Sequence, residues 1–206
     1  MKKICLAGII LAAGSSSRMK TPKALLKIND RTFLEEIYAK MSPFVKEVIV
    51  VVGADKDEIL SKVNIKGAKI VYNENYERGM FSSVKKGLSA IASAVGGFVL
   101  NPVDCPLVME KTYKDILRFH GTRPFCISVP SYKGKRGHPV IFPEALIKEI
   151  ISAPDDAEKG LNYFIKNHEK EVCVLNTNDK GVIININTPE VYESQLGGSR
   201  RRSLTG

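Results

Sequence analysis

The chain of 206 residues has four cysteines, Cys5, Cys105, Cys126 and Cys173, and no two of them stand in C-x-x-C spacing. None of its three histidines lies at metal-ligand spacing from a cysteine, so the sequence predicts no structural zinc and fits a reduced, cytoplasmic setting. Long apolar runs are also missing. The longest near the N-terminus, residues 4–13, falls well short of the ~20 residues a bilayer span needs and carries Gly8 inside it. Lys2 and Lys3 precede it as the charged start of a secretion signal would, but the stretch reads as a strand feeding a ligand loop, which argues against a signal and against a membrane partner. There is no G-x-G-x-x-G, and no Gly-Lys-Ser/Thr follows the first glycine loop, which weakens a dinucleotide or Walker-type reading. No repeat or linker divides the chain, so a single domain is expected over residues 1–196.

The net charge is +9, yet three of those charges are Arg200, Arg201 and Arg202, which leaves about +6 on the rest. Residues 197–206 are expected to form a disordered basic tail. The remaining lysines are scattered and not interleaved with aromatics, as stacking on nucleic acid would require, so nucleic acid is not expected as a partner. A diffuse positive surface suits anionic small substrates instead.

Apolar runs of strand length alternate with segments of helical period. Strands are predicted at 4–12, 47–52, 68–72, 97–102, 125–130, 139–142, 171–175 and 181–184, and helices at 38–41, 59–63, 82–94, 112–120, 143–152, 161–167 and 189–196. Thr32-x-x-Glu35 and Asp55-x-x-Glu58 read as capping boxes, and Pro143 and Pro189 suit first-turn positions. Residues 122–138, rich in Pro and Gly, are expected to form a two-stranded excursion over the sheet edge. This order predicts an α/β protein, a Rossmann-like three-layer α/β/α sandwich with a mostly parallel sheet and ligands at the carboxyl ends of its strands.

Five segments carry chemistry. In the first, an apolar strand runs into Leu11, Ala12, Ala13, Gly14, Ser15, Ser16 and Ser17, followed by the spaced cations Arg18 and Lys23. Small side chains let backbone N–H groups and hydroxyls approach phosphate oxygens, and the two cations supply charge. In the second, Phe98-Val-Leu-Asn-Pro-Val-Asp-Cys-Pro-Leu-Val108 ends a strand with Asp104, where an α/β enzyme places a ligand for Mg²⁺, and Pro102 lies beside it. The third, Gly134-Lys-Arg-Gly-His-Pro-Val-Ile-Phe142, presents His138 as a donor to ligand or as a structural histidine. The fourth, Ile183-Ile-Asn-Ile-Asn-Thr-Pro-Glu-Val-Tyr192, offers the amide oxygens of Asn185 and Asn187. In the fifth, Tyr76-Glu-Arg-Gly-Met-Phe-Ser-Ser-Val-Lys-Lys-Gly-Leu88, the residues Gly79, Ser82 and Ser83 stand at a helix start, placed to bind a base edge or phosphate or to cap the helix.

In this order the segments resemble the L-A-A-G-x-S-x-R-M-x-x-x-K, V-D-x-P-L, G-x-x-G-H-P-V-x-F, D-I-D-T-P-E-D-Y and G-M-x-x-S-V-x-x-G-L motifs of the MobA-like NTP transferase family, within the nucleotide-diphospho-sugar transferase superfamily. The G-H-P-V stretch and the L-A-A-G start resemble the molybdenum cofactor cytidylyltransferase group, whereas the guanylyltransferase relatives carry L-A-G-G. The resemblance implies transfer of CMP from CTP to a molybdopterin-type phosphate, with Mg²⁺ held by Asp104, Asn185 and Asn187. It also implies that Arg18 and Lys23 neutralise the leaving pyrophosphate, and that a molybdenum hydroxylase or its maturation factor is a partner. Asn185 and Asn187 replace the family's aspartates, which lowers the charge available to the metal and leaves GTP open as the donor. A sugar-phosphate acceptor and a non-catalytic cofactor carrier are the other readings. Residues 155–160 match the family's G-D-x-G-A-R only loosely and carry no expectation.

Overall fold

The computed structural model describes residues 5–15, 19, 21–154 and 160–197. Arg18, Ser16, Ser17 and the basic tail from residue 198 lie outside them. The main sheet runs in the order β10-β7-β9-β6-β1-β4-β5. Its strands are β1 (Ala7–Ala12), β4 (Glu47–Val52), β5 (Lys69–Tyr72), β6 (Gly97–Pro102), β7 (Ile127–Tyr132), β9 (Val140–Pro143) and β10 (Val172–Asn176). β1 pairs in parallel with β4 and β6, β4 with β5, and β10 with β7, while β9 runs antiparallel between β6 and β7. Two-residue strands β2 (Lys27–Ile28) and β3 (Arg31–Thr32) form a separate hairpin, and β8 (Lys135–Arg136) folds back on β7.

Side-chain alternation along β1 explains the two-faced core. Ile10 and Ala12 enter a cluster with Phe33, Ile37, Val50 and Ile186, while Ile9, Leu11 and Ala13 enter another with Val51, Val84, Phe98 and Phe142. A strand buried on both faces reads as an unbroken apolar run, and each of its large aliphatic side chains contributes about 1.5–3 kcal/mol. The helices that cover the faces are α1 (Phe33–Met41), α2 (Lys56–Lys62), α3 (Met80–Ser89), α4 (Glu110–Gly121), α5 (Ala145–Ser152), α6 (Gly160–Asn167) and α7 (Pro189–Leu196). Among the described residues no helix is long and apolar enough to cross a membrane.

The capping box at α1 forms as predicted: the Thr32 hydroxyl accepts from Glu35 N at 3.2 Å, and the Glu35 carboxylate accepts from Thr32 N at 2.8 Å. Thr32→Ala is therefore expected to lower unfolding free energy by about 1 kcal/mol, read from a shifted denaturation midpoint at constant slope.

Four expectations need correction. Asp55 makes no side-chain cap bond to α2. Pro143 ends β9 instead of starting α5. Residues 180–183 form a 3₁₀ turn instead of a strand, because Gly181 N is tied back to the Asp179 carboxylate. The excursion over the sheet edge shrinks to β8, since the buried run of β7 is taken into the sheet between β9 and β10 and only the turn at Lys133 and Gly134, both at positive φ, projects. The parallel β7–β10 register also brings Cys126 and Cys173 together as a disulfide pair with Cα atoms 5.8 Å apart, a contact that their separation in sequence hides.

Candidate active site

A cavity of about 520 Å³ opens at the carboxyl ends of β1, β4 and β6. Of the residues expected there, Leu11, Ala13, Gly14, Ser15, Lys23, Gly79, Ser83, Pro102 and Asp104 line its wall. Ala12 does not, because strand alternation turns it into the opposite core. Tyr76, Glu77, Met80 and Val103 belong to the same sequence segments without having been singled out as site residues, and they also line the wall, as does Ala54, which lies outside every segment.

Asp104 is set by the strand before it. Val103 N donates to Leu11 O at 2.9 Å, extending the β1–β6 ladder, and Cys105 N closes a turn on Pro102 O at 3.1 Å. Fully buried Asn101 braces that turn: its amide donates to Pro102 O at 2.8 Å and Cys105 O at 3.3 Å, and its oxygen accepts from the buried Tyr113 hydroxyl at 3.0 Å. The Cys105 thiol donates to Asp104 Oδ1 at 3.5 Å. Burial, with the neighbouring Asp104 charge, holds that thiol well above its ordinary pKa, so it serves as a neutral donor.

Lys23 starts a 3₁₀ turn whose next residues, Ala24 and Leu25, are buried. Its ammonium donates to Asn187 Oδ1 at 2.9 Å across the site. Asn187 in turn is held near Asp104, since Ile186 N donates to Asp104 O at 2.7 Å. Asn187 thus meets the site residues, whereas Asn185 is exposed, and neither is part of the cavity wall. Asn187→Asp is expected to lower the Mg²⁺ concentration needed for half-maximal rate, because a charged oxygen holds a hard cation more tightly than an amide does. Titration of the rate against Mg²⁺ checks this.

The α3 start behaves differently from expectation. Gly79 sits at φ 90°, ψ −179°, a conformation reserved for glycine, and leads directly into the helix. Ser82 is turned away from the cavity and donates at Gly79 O and Asn75 O, while it accepts from Asn73 Nδ2 at 2.9 Å. Ser83 accepts from the same amide at 2.9 Å and faces the cavity.

Gly137 serves close approach of two backbones. A Cβ there would overlap the Val182 carbonyl oxygen, and Gly137 N donates to Pro130 O at 2.9 Å. His138 follows with a cis bond to Pro139, donates its backbone N–H to Val182 O at 2.9 Å, and is half-buried outside the cavity wall. Its Nδ1 is buried without a hydrogen-bond partner among the described residues. Burial lowers its pKa, opposed by the charge of Asp104.

Among the described residues no group of three His, Cys, Asp or Glu side chains gathers to hold a metal. What Asp104, Asn187 and Lys23 offer together is one carboxylate, a neighbouring amide oxygen and a lysine, with Glu77 a second carboxylate in the wall; such a set suits a cation that takes most of its ligands from phosphate and water.

The chain resembles known proteins in sequence and in fold. The chain is 28% identical over 195 residues to nicotine blue oxidoreductase of Paenarthrobacter nicotinovorans, covering 90% of this chain and 94% of that protein. It is 25% identical over 187 residues to the molybdenum cofactor cytidylyltransferase of Escherichia coli K12, covering 89% and 92%. Among solved structures, Rv0371c of Mycobacterium tuberculosis H37Rv superposes with a TM-score of 0.81 at 27% identity over 94% of this chain and 98% of its own. That protein in complex with manganese gives 0.77 at 25% over the same shares. The pattern of the MobA-like NTP transferase domain matches residues 8–172, from the first strand through the Lys23 turn, Asp104 and the Gly137–His138 segment. With its fold, cavity and sequence in accord, the chain belongs to the MobA-like NTP transferase family and is a nucleotidyltransferase.

Proposed function

We propose that the protein transfers CMP from CTP to the terminal phosphate of molybdopterin, with Mg²⁺ as the required cation and pyrophosphate as the second product. The observation that carries this reading is the meeting of Lys23, Asp104 and Asn187 beside a cavity at the strand ends. An acceptor phosphate oxygen forms a new bond to the α-phosphorus of CTP in line with the bond to the β-phosphate, which breaks and leaves with its electron pair on pyrophosphate. No side-chain nucleophile is needed, and the protein's part is positioning and charge neutralisation. Lys23, with Arg18, offsets the charge that develops on the leaving group. Asp104 with Asn187 or Asn185 would hold Mg²⁺, which when bound supplies Lewis-acid polarisation of the phosphates. The manganese complex of the mycobacterial relative supports a divalent cation.

Ala13 in the cavity wall supports CTP over GTP, since its methyl takes room that glycine would leave for a purine. Asn at 185 and 187 favours the guanylyl alternative, in which only the donor changes. A fold alone does not decide the reaction, as the name of the Paenarthrobacter relative illustrates. Thermal-shift titration with CTP, GTP, ATP and UTP, each with and without Mg²⁺, tests the reading, because bound ligand stabilises as RT ln(1 + [L]/Kd). The expected result is the largest shift for CTP with Mg²⁺. A larger shift for GTP would move the assignment to guanylyl transfer, and no shift for any nucleotide would favour the carrier. A molybdenum hydroxylase as receiving enzyme and a cytoplasmic location belong to the same proposal.

A further inference from the structure

Asp179 is only 3% exposed and, among the described residues, makes no ion pair. Its charge is instead met by hydrogen bonds to two separate segments. Oδ2 accepts from Met109 N at 2.8 Å and from the Thr112 hydroxyl at 2.6 Å, both at the start of α4 just beyond the Asp104 turn. Oδ1 accepts from Gly181 N at 2.8 Å, at the head of the segment that runs to Asn185 and Asn187. A buried carboxylate with three such donors is a fixed joint, since removing any acceptor leaves a buried donor unsatisfied.

The segment that this joint orients touches the rest of the site. Val182 O accepts from His138 N, Ile186 N donates to Asp104 O, and Asn187 Oδ1 accepts from Lys23. None of these bonds involves Asp179 directly, yet each depends on where the chain goes after Gly181. We propose that Asp179 is a positioning residue that fixes the amide-bearing segment 185–187 against Asp104, and thereby sets the affinity for the divalent cation in the nucleotide complex. The proposal rests on the nucleotidyltransferase reading of the site, and its test includes a readout that needs no turnover.

The test uses the full chain with Asp179→Asn, and with Thr112→Val as a milder variant that removes one donor and leaves the carboxylate in place. Mn²⁺ titration of the protein with CTP, followed by electron paramagnetic resonance of the free ion, reads cation affinity whether or not transfer occurs. Pyrophosphate release read in parallel separates a failure of the proposal from a failure of the proposed function. Support from residues behind the ligands typically changes metal affinity by about 10–100-fold, so Asp179→Asn is expected to weaken Mn²⁺ by at least about tenfold and Thr112→Val by less. CTP affinity measured without metal should stay near the wild-type value in both. Should Asp179→Asn fail to fold, Thr112→Val alone decides by the same criterion. Wild-type Mn²⁺ affinity in the folded variants would overturn the proposal, as would an equal loss of metal-free CTP binding, which marks a merely structural role.

Discussion

Replacing Asp104 by Asn is expected to reduce nucleotidyl transfer by two orders of magnitude or more, about 3 kcal/mol in the barrier, while leaving the protein folded. The amide is the same size, and the bonds that shape the turn are made by backbone atoms and by Asn101, so Pro102 O, Leu11 O and Ile186 N keep their partners. What changes is charge: Asp104 is the only carboxylate among the three groups proposed to hold the cation. Metal-free nucleotide binding should survive better than turnover, and added Mg²⁺ should recover part of the rate. The measurement is steady-state pyrophosphate release over a range of Mg²⁺ concentrations, next to CTP binding without metal. Activity indifferent to both chelator and Asp104→Asn would remove the metal role and leave the cofactor carrier as the better reading.

Lys23→Ala is expected to cost a similar hundredfold or more in transfer rate, again about 3 kcal/mol, with a much smaller effect on stability. The ammonium is the donor that spans the site to Asn187, so its loss removes a cation from the leaving group's surroundings and frees the amide at the same stroke. Because the 3₁₀ turn is held by the buried side chains of Ala24 and Leu25 and by Leu25 N to Pro22 O, the backbone should stay in place. The same assay on Arg18→Ala is expected to show a loss of the same order, from the phosphate-loop reading of the sequence. Unchanged turnover in the Lys23 variant would sink that reading.

The apolar runs of β4, residues 48–52, and of β6, residues 98–100, announce their strands because strands buried on both faces need no alternation. Thr32 and Glu35 announce α1 because both halves of a capping box lie within one turn. Asp104 is legible for a similar reason: it is a polar residue at the end of such a run, beside a proline. The antiparallel direction of β9 is not legible, since a short apolar run looks the same read either way. Nor are the groups that hold the site in shape. Asn101 and Tyr113 sit on a strand and the following helix, Asp179 reaches back to Met109, and Lys23 reaches forward to Asn187, and no local pattern joins them. Ser82 misleads because a serine at a helix start looks the same whether it faces a ligand or closes a loop on Asn73, Asn75 and Gly79.

The most direct test of the central claim follows the phosphorus atoms. Purified protein would be incubated with Mg²⁺, molybdopterin and CTP labelled separately at the α- and γ-positions. Nucleotidyl transfer predicts that the α-label moves into a dinucleotide joined through pyrophosphate to the pterin, and that the γ-label appears in free pyrophosphate in equal amount. Label that stays in CTP while unmodified acceptor persists, or γ-label released as orthophosphate with no dinucleotide formed, would contradict the account.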